Sequence, residues 1–206
     1  MSDHETISPS VLYFGTPVVL ITSLNPDGTT NISPMSSAWA LGDRVVLGLT
    51  STSQGSENIL RGRQLVLNFP SANLWSKVES LAKLTGRKPV PPHKQKMGYR
   101  FEADKFNSSG LTSQPSELVR PARIAECPIQ FEAEVVAWHA PGEWPSERPE
   151  TFYIIETKVL RVHAYKDILI PATNHIDTDQ WHPLLYVFRH YFAKGLKLGQ
   201  TFKAEA

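Results

Sequence analysis

A short run of small polar residues around a proline is the first part of the chain that is suited to chemistry. It reads Asn-Ile-Ser-Pro-Met-Ser-Ser from Asn31 to Ser37, which brings an amide and several hydroxyls together. The proline removes a backbone donor and disturbs regular pairing, so neighbouring amides are free for other partners. Such a concentration of small donors suits a phosphate or carbonyl ligand. Taken alone, a serine-rich turn is more often a solvated loop.

A second hydroxyl cluster, Thr-Ser-Thr-Ser from Thr50 to Ser53, changes that balance. It stands between a predicted strand and a helix expected to start near Ser56, and the first amides of a helix have no acceptor within the helix. Hydroxyls and amides at this point can converge on one anion, for which phosphate is the natural ligand. If the strands on either side of the preceding turn pair as a hairpin, the two clusters lie within reach of a single ligand.

The residues around these clusters predict short antiparallel strands. Residues 17–24 are rich in β-branched and aliphatic side chains, and the Asn-Pro-Asp-Gly that follows at 25–28 is a strong hairpin signal. A second strand is expected over residues 30–41 and a third over residues 44–50. A proline inside a central strand deletes a ladder hydrogen bond, so the chain near Pro34 should be bulged or at a sheet edge.

Two short helices are expected next. Residues 53–63 carry serines at the front and arginines at the back, which is typical of a helix of about two turns. After a strand over residues 64–69, Leu74, Val78 and Leu81 repeat at helical spacing, and Leu84 is expected in the last turn of that helix.

The second half of the chain predicts mostly strands. Residues 129–138 and 152–165 look like long antiparallel neighbours, and residues 184–192 predict a further strand or a cover for a site. Residues 85–99, rich in proline, glycine and lysine, predict a surface loop that is a candidate lid. Many strands and few helices favour a mainly β, closed or partly closed barrel. No Gly-x-Gly-x-x-Gly follows a strand, so a Rossmann unit is not supported.

The composition limits the class of protein. The 206 residues, 41% of them hydrophobic, predict a single domain over residues 1–206. Twenty-one Lys and Arg nearly balance 20 Asp and Glu, so a nucleic-acid partner is not expected. The one cysteine, Cys127, is expected to be structural and favours a reducing, cytoplasmic location. Because there is no export signal and no apolar run near ~20 residues, no membrane association is expected.

Several short motifs occur together along the chain. The first half contains the Asn-Pro-Asp-Gly turn, Asn31-x-x-Pro34-x-Ser36, and Asn58-Ile59 followed by the strand Leu65-Val66-Leu67-Asn68. The second half contains Asp104-Lys105-Phe106, Gly110-Leu111-Thr112, and Val119-x-Pro121-x-Arg123-Ile124-Ala125-Glu126-Cys127-Pro128-Ile129 with Glu132. In order and spacing, these motifs resemble the flavin-reductase-like family, which has an FMN-binding split β-barrel with a few short peripheral helices. The resemblance spans residues 16–136.

The resemblance implies a homodimer that binds FMN noncovalently near the subunit interface, with NADH or NADPH as the usual hydride source. The hydroxyl loop of the family corresponds to Ser36 and Ser37, and its phosphate loop corresponds to residues 50–56. Its Lys-Phe pair corresponds to Lys105 and Phe106.

One position departs from the family pattern. Many relatives carry a threonine three residues before the Asn-Ile pair, whereas this chain has Gly55, which leaves Ser53 or Ser56 to supply the hydroxyl. Asn58 itself is expected either to tie the loop or to touch the ribityl chain. The full set of residues expected to bind the cofactor is Asn31, Pro34, Met35, Ser36, Ser37, Thr50, Ser51, Ser53, Ser56, Asn58, Arg87, Lys105 and His190.

Among these residues, Arg87 and Lys105 are the expected phosphate partners. The segment His190-Tyr191-Phe192 is expected either to pack on the flavin ring or to close the barrel. No catalytic side chain is required, because the flavin itself accepts the hydride. No metal is expected, since His175 and His182 fit no strong metal motif.

These expectations predict an oxidoreductase of the flavin reductase type, which transfers hydride from NAD(P)H to FMN and onward to a small acceptor. An alternative is an FMN-binding electron carrier without NAD(P)H turnover of its own. A third possibility is a sensor or structural dimer that binds no flavin. Since related barrels host several activities, the step from binding to reaction rests on the resemblance.

Overall fold

In the computed structural model, which describes residues 3–141 and 151–201, the chain is mainly β. The strands are β1 (Phe14–Pro17), β2 (Val19–Leu24), β3 (Thr30–Met35), β4 (Ala38–Leu41), β5 (Arg44–Thr50), β6 (Gln64–Phe69), β7 (Leu84–Thr85), β8 (Arg100–Phe101), β9 (Ser113–Gln114), β10 (Arg123–Ile124), β11 (Ile129–His139), β12 (Phe152–Ala164), β13 (Leu184–Val187) and β14 (His190–Ala193). Seven of them form one antiparallel sheet in the order β3-β2-β6-β11-β12-β5-β4, and β1, β13 and β14 form a separate sheet. The prediction of a mainly β fold is confirmed.

The first hairpin, β2 to β3, forms where the sequence predicts it. At its turn the Asp27 carboxylate accepts hydrogen bonds from the Thr29 amide at 3.0 Å and the Thr29 hydroxyl at 2.6 Å. Gly28 adopts a φ of +87°, a conformation that favours glycine. Because β3 is an edge strand, Pro34 removes no bond from the middle of the sheet, and the prediction of an edge position for Pro34 is confirmed.

The expectation of one continuous strand over residues 30–41 is wrong. β3 ends at Met35 and β4 begins at Ala38, and these two strands are the opposite edges of the seven-stranded sheet. Because only Ser36 and Ser37 join the two edges, the sheet must curl until its edges approach each other. The Ser37 carbonyl accepts a hydrogen bond from the Gly48 amide at 2.8 Å, which holds the crossing against β5. The two serines therefore lie at the opening of a half-barrel.

Short helices cover this sheet. They are α1 (Gln54–Gly62), α2 (Trp75–Ser80), α3 (Pro92–Lys96) and α4 (Lys105–Ser109), with 3-10 turns at Ala72–Leu74 and Lys166–Ile168. α1 confirms the helix predicted over residues 53–63. Leu74, Val78 and Leu81 are buried, as their spacing predicts. Leu84 is not in that helix, because it pairs with Arg100 as part of β7 after the helix has ended.

The apolar core consists of two clusters that share β2. Alternate side chains of a strand point to opposite faces, so Val19 and Ile21 lie in the cluster inside the curled sheet while Leu20 lies in the outer cluster. The outer cluster also contains Leu81, beyond the end of α2, and Leu184 of β13. β2 is therefore covered on both faces, and the three-stranded sheet is packed against the back of the half-barrel.

Glu132 on β11 gives a physical reason for the second block of motifs. Its fully buried carboxylate accepts hydrogen bonds from the amides of Glu117, Leu118 and Val119 at 2.9, 2.6 and 3.1 Å, and His163 Nε2 lies 2.7 Å from it. Burial raises the pKa of Glu132, but these donors outweigh it and hold the pKa below its usual value. The carboxylate thereby anchors the segment that leads to β10.

The second half of the chain contains the two long strands that the sequence predicts and a C-terminal hairpin. β11 and β12 pair antiparallel, as expected for the two long strands, and residues 184–192 contribute the β13–β14 hairpin. The loop between β11 and β12, from residue 142 to residue 150, lies outside the described residues. Cys127 is buried, and burial raises the pKa of its thiol, which suits a structural role. No helix in the described part of the chain has both the length and the apolar character to cross a bilayer.

Candidate functional site

A cavity of about 430 Å³ opens beside the junction of β3 and β4. Its polar side is formed by Ser36 and Ser37 of that junction, Thr50 at the end of β5, the first turn of α1 and Lys105 of α4. Its apolar side comes from α2, the three-stranded sheet and the segment that precedes β1. A pocket of this size, with a few convergent polar groups, suits a small organic ligand.

The start of α1 is organised by three hydroxyl-bearing residues. The Ser53 oxygen accepts a hydrogen bond from the Ser56 amide at 3.0 Å, and the Ser56 hydroxyl donates to the Thr50 carbonyl at 2.7 Å. Capping uses the amide of Ser56, whereas the amides of Gln54 and Gly55, which line the cavity, have no acceptor within the helix. The positive end of the helix dipole therefore favours an anion in the cavity.

Lys105 brings a positive charge to the cavity wall. The residue is only 3% exposed, and its ammonium donates a hydrogen bond to the Ile32 carbonyl at 2.7 Å. Burial, followed by the nearby charge of Lys94, lowers the pKa of Lys105 to about 8, and Glu102 offsets part of that shift. An anionic ligand beside this ammonium would restore a solvation partner that burial removes.

Two glycines let backbone segments approach closely at the polar end. A Cβ at Gly55 would lie 2.5 Å from Ser33 Oγ, and a Cβ at Gly86 would lie 2.7 Å from Asn31 Oδ1. Both separations are shorter than real contacts of this kind. A threonine at position 55 therefore does not fit against Ser33 without a shift of one of them.

Four tyrosines line the cavity, and three of them, Tyr13, Tyr186 and Tyr191, form a series of ring contacts that we call the tyrosine wall. The ring centroids of Tyr13 and Tyr186 are 5.3 Å apart, and those of Tyr186 and Tyr191 are 5.6 Å apart. The Tyr13 oxygen accepts a hydrogen bond from the Ser37 hydroxyl at 3.3 Å, and the Tyr191 hydroxyl donates to Glu79 at 3.0 Å. The wall thus meets the polar side at Ser37.

The structure brings together part of the residue set expected from the sequence. The predicted residues that line the cavity are Pro34, Met35, Ser36, Ser37, Thr50, Ser53 and Lys105. The predicted residues that do not line it are Asn31, Ser51, Ser56, Asn58, Arg87 and His190. Contact with FMN stays a prediction for the seven that line the cavity, whereas Asn58 and Arg87 have protein partners elsewhere.

Asn58 ties the loop, which is one of its two expected roles. Its side-chain amide is buried and donates to Asn25 Oδ1 at 2.7 Å and to Ser23 Oγ at 3.4 Å, and it accepts from Gln54 Nε2 at 3.0 Å. These bonds join α1 to the turn of the first hairpin. Asn31 is buried as well, and its amide donates to Ser33 Oγ, which lines the cavity, at 3.0 Å.

Arg87 and Lys105 line two different cavities. Its guanidinium donates to the Glu57 carboxylate at 3.1 Å and to the Thr52 carbonyl at 3.4 Å. It lines a second cavity of about 540 Å³, and this cavity shares Gln54 with the first. The two expected phosphate partners therefore line different cavities, which meet at Gln54.

The sequence interpretation placed His190, and not its neighbour Tyr191, in the cofactor-binding set, and it did not single out Tyr13 or Tyr186. Alternate side chains of a strand point to opposite faces, so Tyr191 and His190 of β14 cannot both face the cavity. This alternation could have identified Tyr191, rather than His190, as the lining residue. Tyr13 precedes β1 in a segment without a regular pattern, and no local signal identifies it. The candidate lid, residues 85–99, contributes four lining residues, namely Thr85, Gly86, Lys94 and Tyr99.

Comparison with known protein families is consistent with this site. The model of the family described as flavin reductase like domain matches residues 11–195. The chain is also 43% identical over 201 residues to YdfE, an uncharacterized protein of Bacillus subtilis (strain 168), with 98% of this chain and 94% of that protein covered.

Solved structures show the same fold. A flavoredoxin of Desulfovibrio vulgaris (Miyazaki F) aligns with a TM-score of 0.77 at 19% identity, covering 98% of this chain and 99% of that chain. A flavoredoxin from Methanosarcina acetivorans gives 0.76 at 19% identity, covering 98% and 97%. A protein with a split barrel domain from Shewanella frigidimarina NCIMB 400 gives 0.68 at 15% identity, covering 92% and 87%, and the predicted split-barrel fold is confirmed. With a family model that spans most of its length, the chain belongs to the flavin reductase like family.

Proposed function

We propose that this protein is an FMN-dependent oxidoreductase in which NADH or NADPH reduces the bound flavin and the electrons pass to a small acceptor. The observation that carries this proposal is that residues of both hydroxyl clusters, the start of α1 and buried Lys105 line one cavity, together with the apolar side chains of Met35 and Leu49. FMN has matching parts, namely an anionic phosphate, a polar ribityl chain and a flat ring. Membership of the flavin reductase like family supports a flavin as the ligand.

The phosphate would be held at the start of α1. The hydroxyl of Thr50, the Ser53 side chain and the amides of Gln54 and Gly55 are the groups available there. Lys105 supplies positive charge from the cavity wall. Arg87 could add a second charge only by leaving Glu57, so Lys105 is the stronger candidate.

The ribityl chain and the ring would extend along the junction of β3 and β4. Ser36 and Ser37 supply hydroxyls there, and Met35 and Leu49 supply apolar contacts. When bound, the flavin supplies the hydride-accepting ring, so the protein needs to bind, orient and exclude water rather than to act as an acid or base. The prediction that no catalytic side chain is required therefore remains part of this proposal.

We further propose that the protein is a single-domain, cytoplasmic homodimer. Trp39 and Leu41 of the edge strand β4 are 59% and 75% exposed, and large apolar side chains that are exposed together are typical of interfaces. Light scattering at micromolar concentration should give the mass of a dimer. A monomer under those conditions would contradict the dimer without affecting the flavin proposal.

A carrier function is the second candidate. Two structures with the same fold are flavoredoxins, and a flavin-binding electron carrier would need the same cavity. The two candidates differ in nicotinamide turnover. Steady-state oxidation of NADH and NADPH by FMN-loaded protein should exceed the rate with free FMN if the protein is a reductase, whereas an equal rate would favour the carrier.

Flavin binding itself has a direct test. Purified protein should show flavin absorbance in the visible range or should bind FMN in a titration, and Lys105→Met should weaken that binding. Lys158→Met is a matched control, because Lys158 is an exposed lysine of β12 outside the cavity. Absence of flavin absorbance together with absence of FMN binding would remove the proposal.

A further inference from the structure

We infer that the tyrosine wall is the subsite for the electron acceptor and that it selects planar aromatic acceptors such as a quinone. This inference rests on the proposed function, because an acceptor has a role only if a flavin is reduced in the same cavity. The polar groups that suit FMN come from the seven-stranded sheet, α1 and α4, whereas the tyrosines come from the N-terminal segment and the three-stranded sheet. One cavity therefore has two chemically distinct sides.

The rings of the tyrosine wall meet edge to face and at a tilt rather than in a flat stack. They form a continuous series with centroid separations of 5.3 and 5.6 Å and interplanar angles of 68° and 55°. Aromatic pairs are favourable at separations of about 4.5–7 Å, and a planar guest can extend such a series. A small inorganic acceptor gains nothing from these rings, so the wall discriminates by shape and aromatic character.

The wall is also held in position before any ligand arrives. Tyr191 is fixed by its hydrogen bond to Glu79 of α2, and Tyr13 is fixed by the hydrogen bond from Ser37. Tyr186 lies between them and packs against the outer core cluster. Rings that are ordered in advance lose less conformational entropy when a ligand stacks on them.

The contact between Tyr13 and Ser37 places the tyrosine wall next to the polar side of the cavity. Ser37 belongs to the junction that would hold the flavin, and its Oγ lies 3.3 Å from the Tyr13 oxygen. A planar molecule on the wall would therefore lie next to a ligand held by Ser37. Over one turnover, NADH and one solvent proton convert one quinone to its hydroquinone and NAD⁺, which balances the two electrons and two protons that the quinone takes up.

The test compares acceptors in tyrosine variants of the FMN-loaded protein. Tyr186→Leu and Tyr13→Leu should each raise the KM for 1,4-naphthoquinone and its calorimetric Kd by about three- to tenfold, as expected for the loss of one aromatic contact. The KM for ferricyanide should change less than twofold in the same variants. Tyr186→Phe keeps the ring and should restore the wild-type values, and Tyr165→Leu is a control outside the cavity.

Two results would overturn the inference. A rise in the FMN Kd that matches the rise for naphthoquinone would mean that the tyrosines hold the flavin itself, and unchanged naphthoquinone binding in both leucine variants would mean that the wall binds no acceptor. Because Tyr13 lies outside both core clusters, Tyr13→Leu remains informative if Tyr186→Leu does not fold. If the wild-type protein binds no FMN, the proposed function fails, while naphthoquinone titration of the flavin-free protein still tests the wall.

Discussion

The ammonium nitrogen of Lys105 lies 2.7 Å from the carbonyl oxygen of Ile32, a residue 73 positions earlier in the chain. This bond joins α4 to the edge strand β3 and holds a charge at the wall of the cavity. One carbonyl satisfies one of the three donors of an ammonium, so an anionic ligand has unused donors to bind.

The affinity for FMN should fall as the pH rises through about 8, the pKa of Lys105. Only the protonated Lys105 ammonium attracts an anion, and a bound anion raises the pKa of Lys105 further. The Kd for FMN should therefore be constant below the pKa of the free protein and should rise by up to about tenfold per pH unit above it. Fluorescence titrations of FMN from pH 6.5 to 9 would measure this dependence.

Lys105→Met should weaken FMN binding by about ten- to a hundredfold at pH 7, the range expected for a charge-assisted hydrogen bond. The variant should also lose the change in Kd above pH 8, whereas Lys158→Met should keep it. If Lys105→Met and the wild type share the same pH profile, the proposed role of Lys105 is wrong.

Gly55 should not tolerate a side chain. Gly55→Thr places a Cβ 2.5 Å from Ser33 Oγ and should lower the free energy of unfolding by about 1–3 kcal/mol. Thermal and urea unfolding would measure the loss. Gly62→Ala lies in the same helix with open space around its Cβ, and it should instead stabilise the protein by up to about 1 kcal/mol. Equal effects of the two substitutions would contradict the close packing of α1 on β3.

The buried carboxylate of Glu132 should make the protein sensitive to acid. Its pKa is lower in the folded protein than in the unfolded chain, so it contributes stability above the unfolded pKa, and this contribution is lost as the pH falls through the folded pKa. Glu132→Gln should lower the free energy of unfolding by about 2–3 kcal/mol at pH 7, because its amide group cannot accept from all the amides that now donate to the carboxylate.

The difference between wild type and Glu132→Gln should shrink as the pH falls below the pKa of a glutamate in an unfolded chain, about 4.3, and approaches the lower pKa of folded Glu132. Glu134→Gln, on the same strand but exposed, should change stability by less than about 0.5 kcal/mol. A difference that stays constant from pH 7 to pH 3 would show that the charge of Glu132 is not what anchors residues 117–119.

Local patterns predict most of the strands and α1 because their signals are contained in consecutive residues. The turn at 25–28 and the serine cap before α1 are examples, and the edge position of Pro34 follows from the chemistry of proline alone. The break between β3 and β4 could not be predicted in this way. It depends on the Gly48 amide of β5, which binds the Ser37 carbonyl only once the sheet has curled.

The same distinction applies to the candidate site. Residue type identified the hydroxyl clusters, and their convergence follows from the curled sheet. Tyr13 and Tyr186 line the cavity from parts of the chain more than 170 residues apart. No spacing pattern in the sequence predicts their contact. Arg87 was expected at the phosphate because of its charge, but its pairing with Glu57 depends on how the loop folds back on α1.

The side chain of Asn58 should stabilise the fold without contributing to FMN binding. Its buried amide bonds to Asn25, Ser23 and Gln54, so Asn58→Ala should leave buried donors and acceptors unpaired and lower the free energy of unfolding by about 2–3 kcal/mol. The FMN Kd of the folded variant should stay within about threefold of the wild-type value, because the side chain does not line the cavity. Asn107→Ala, at an exposed asparagine of α4, is the matched control and should change neither quantity. An Asn58→Ala protein of normal stability that binds FMN tenfold more weakly would instead mean that Asn58 touches the ribityl chain.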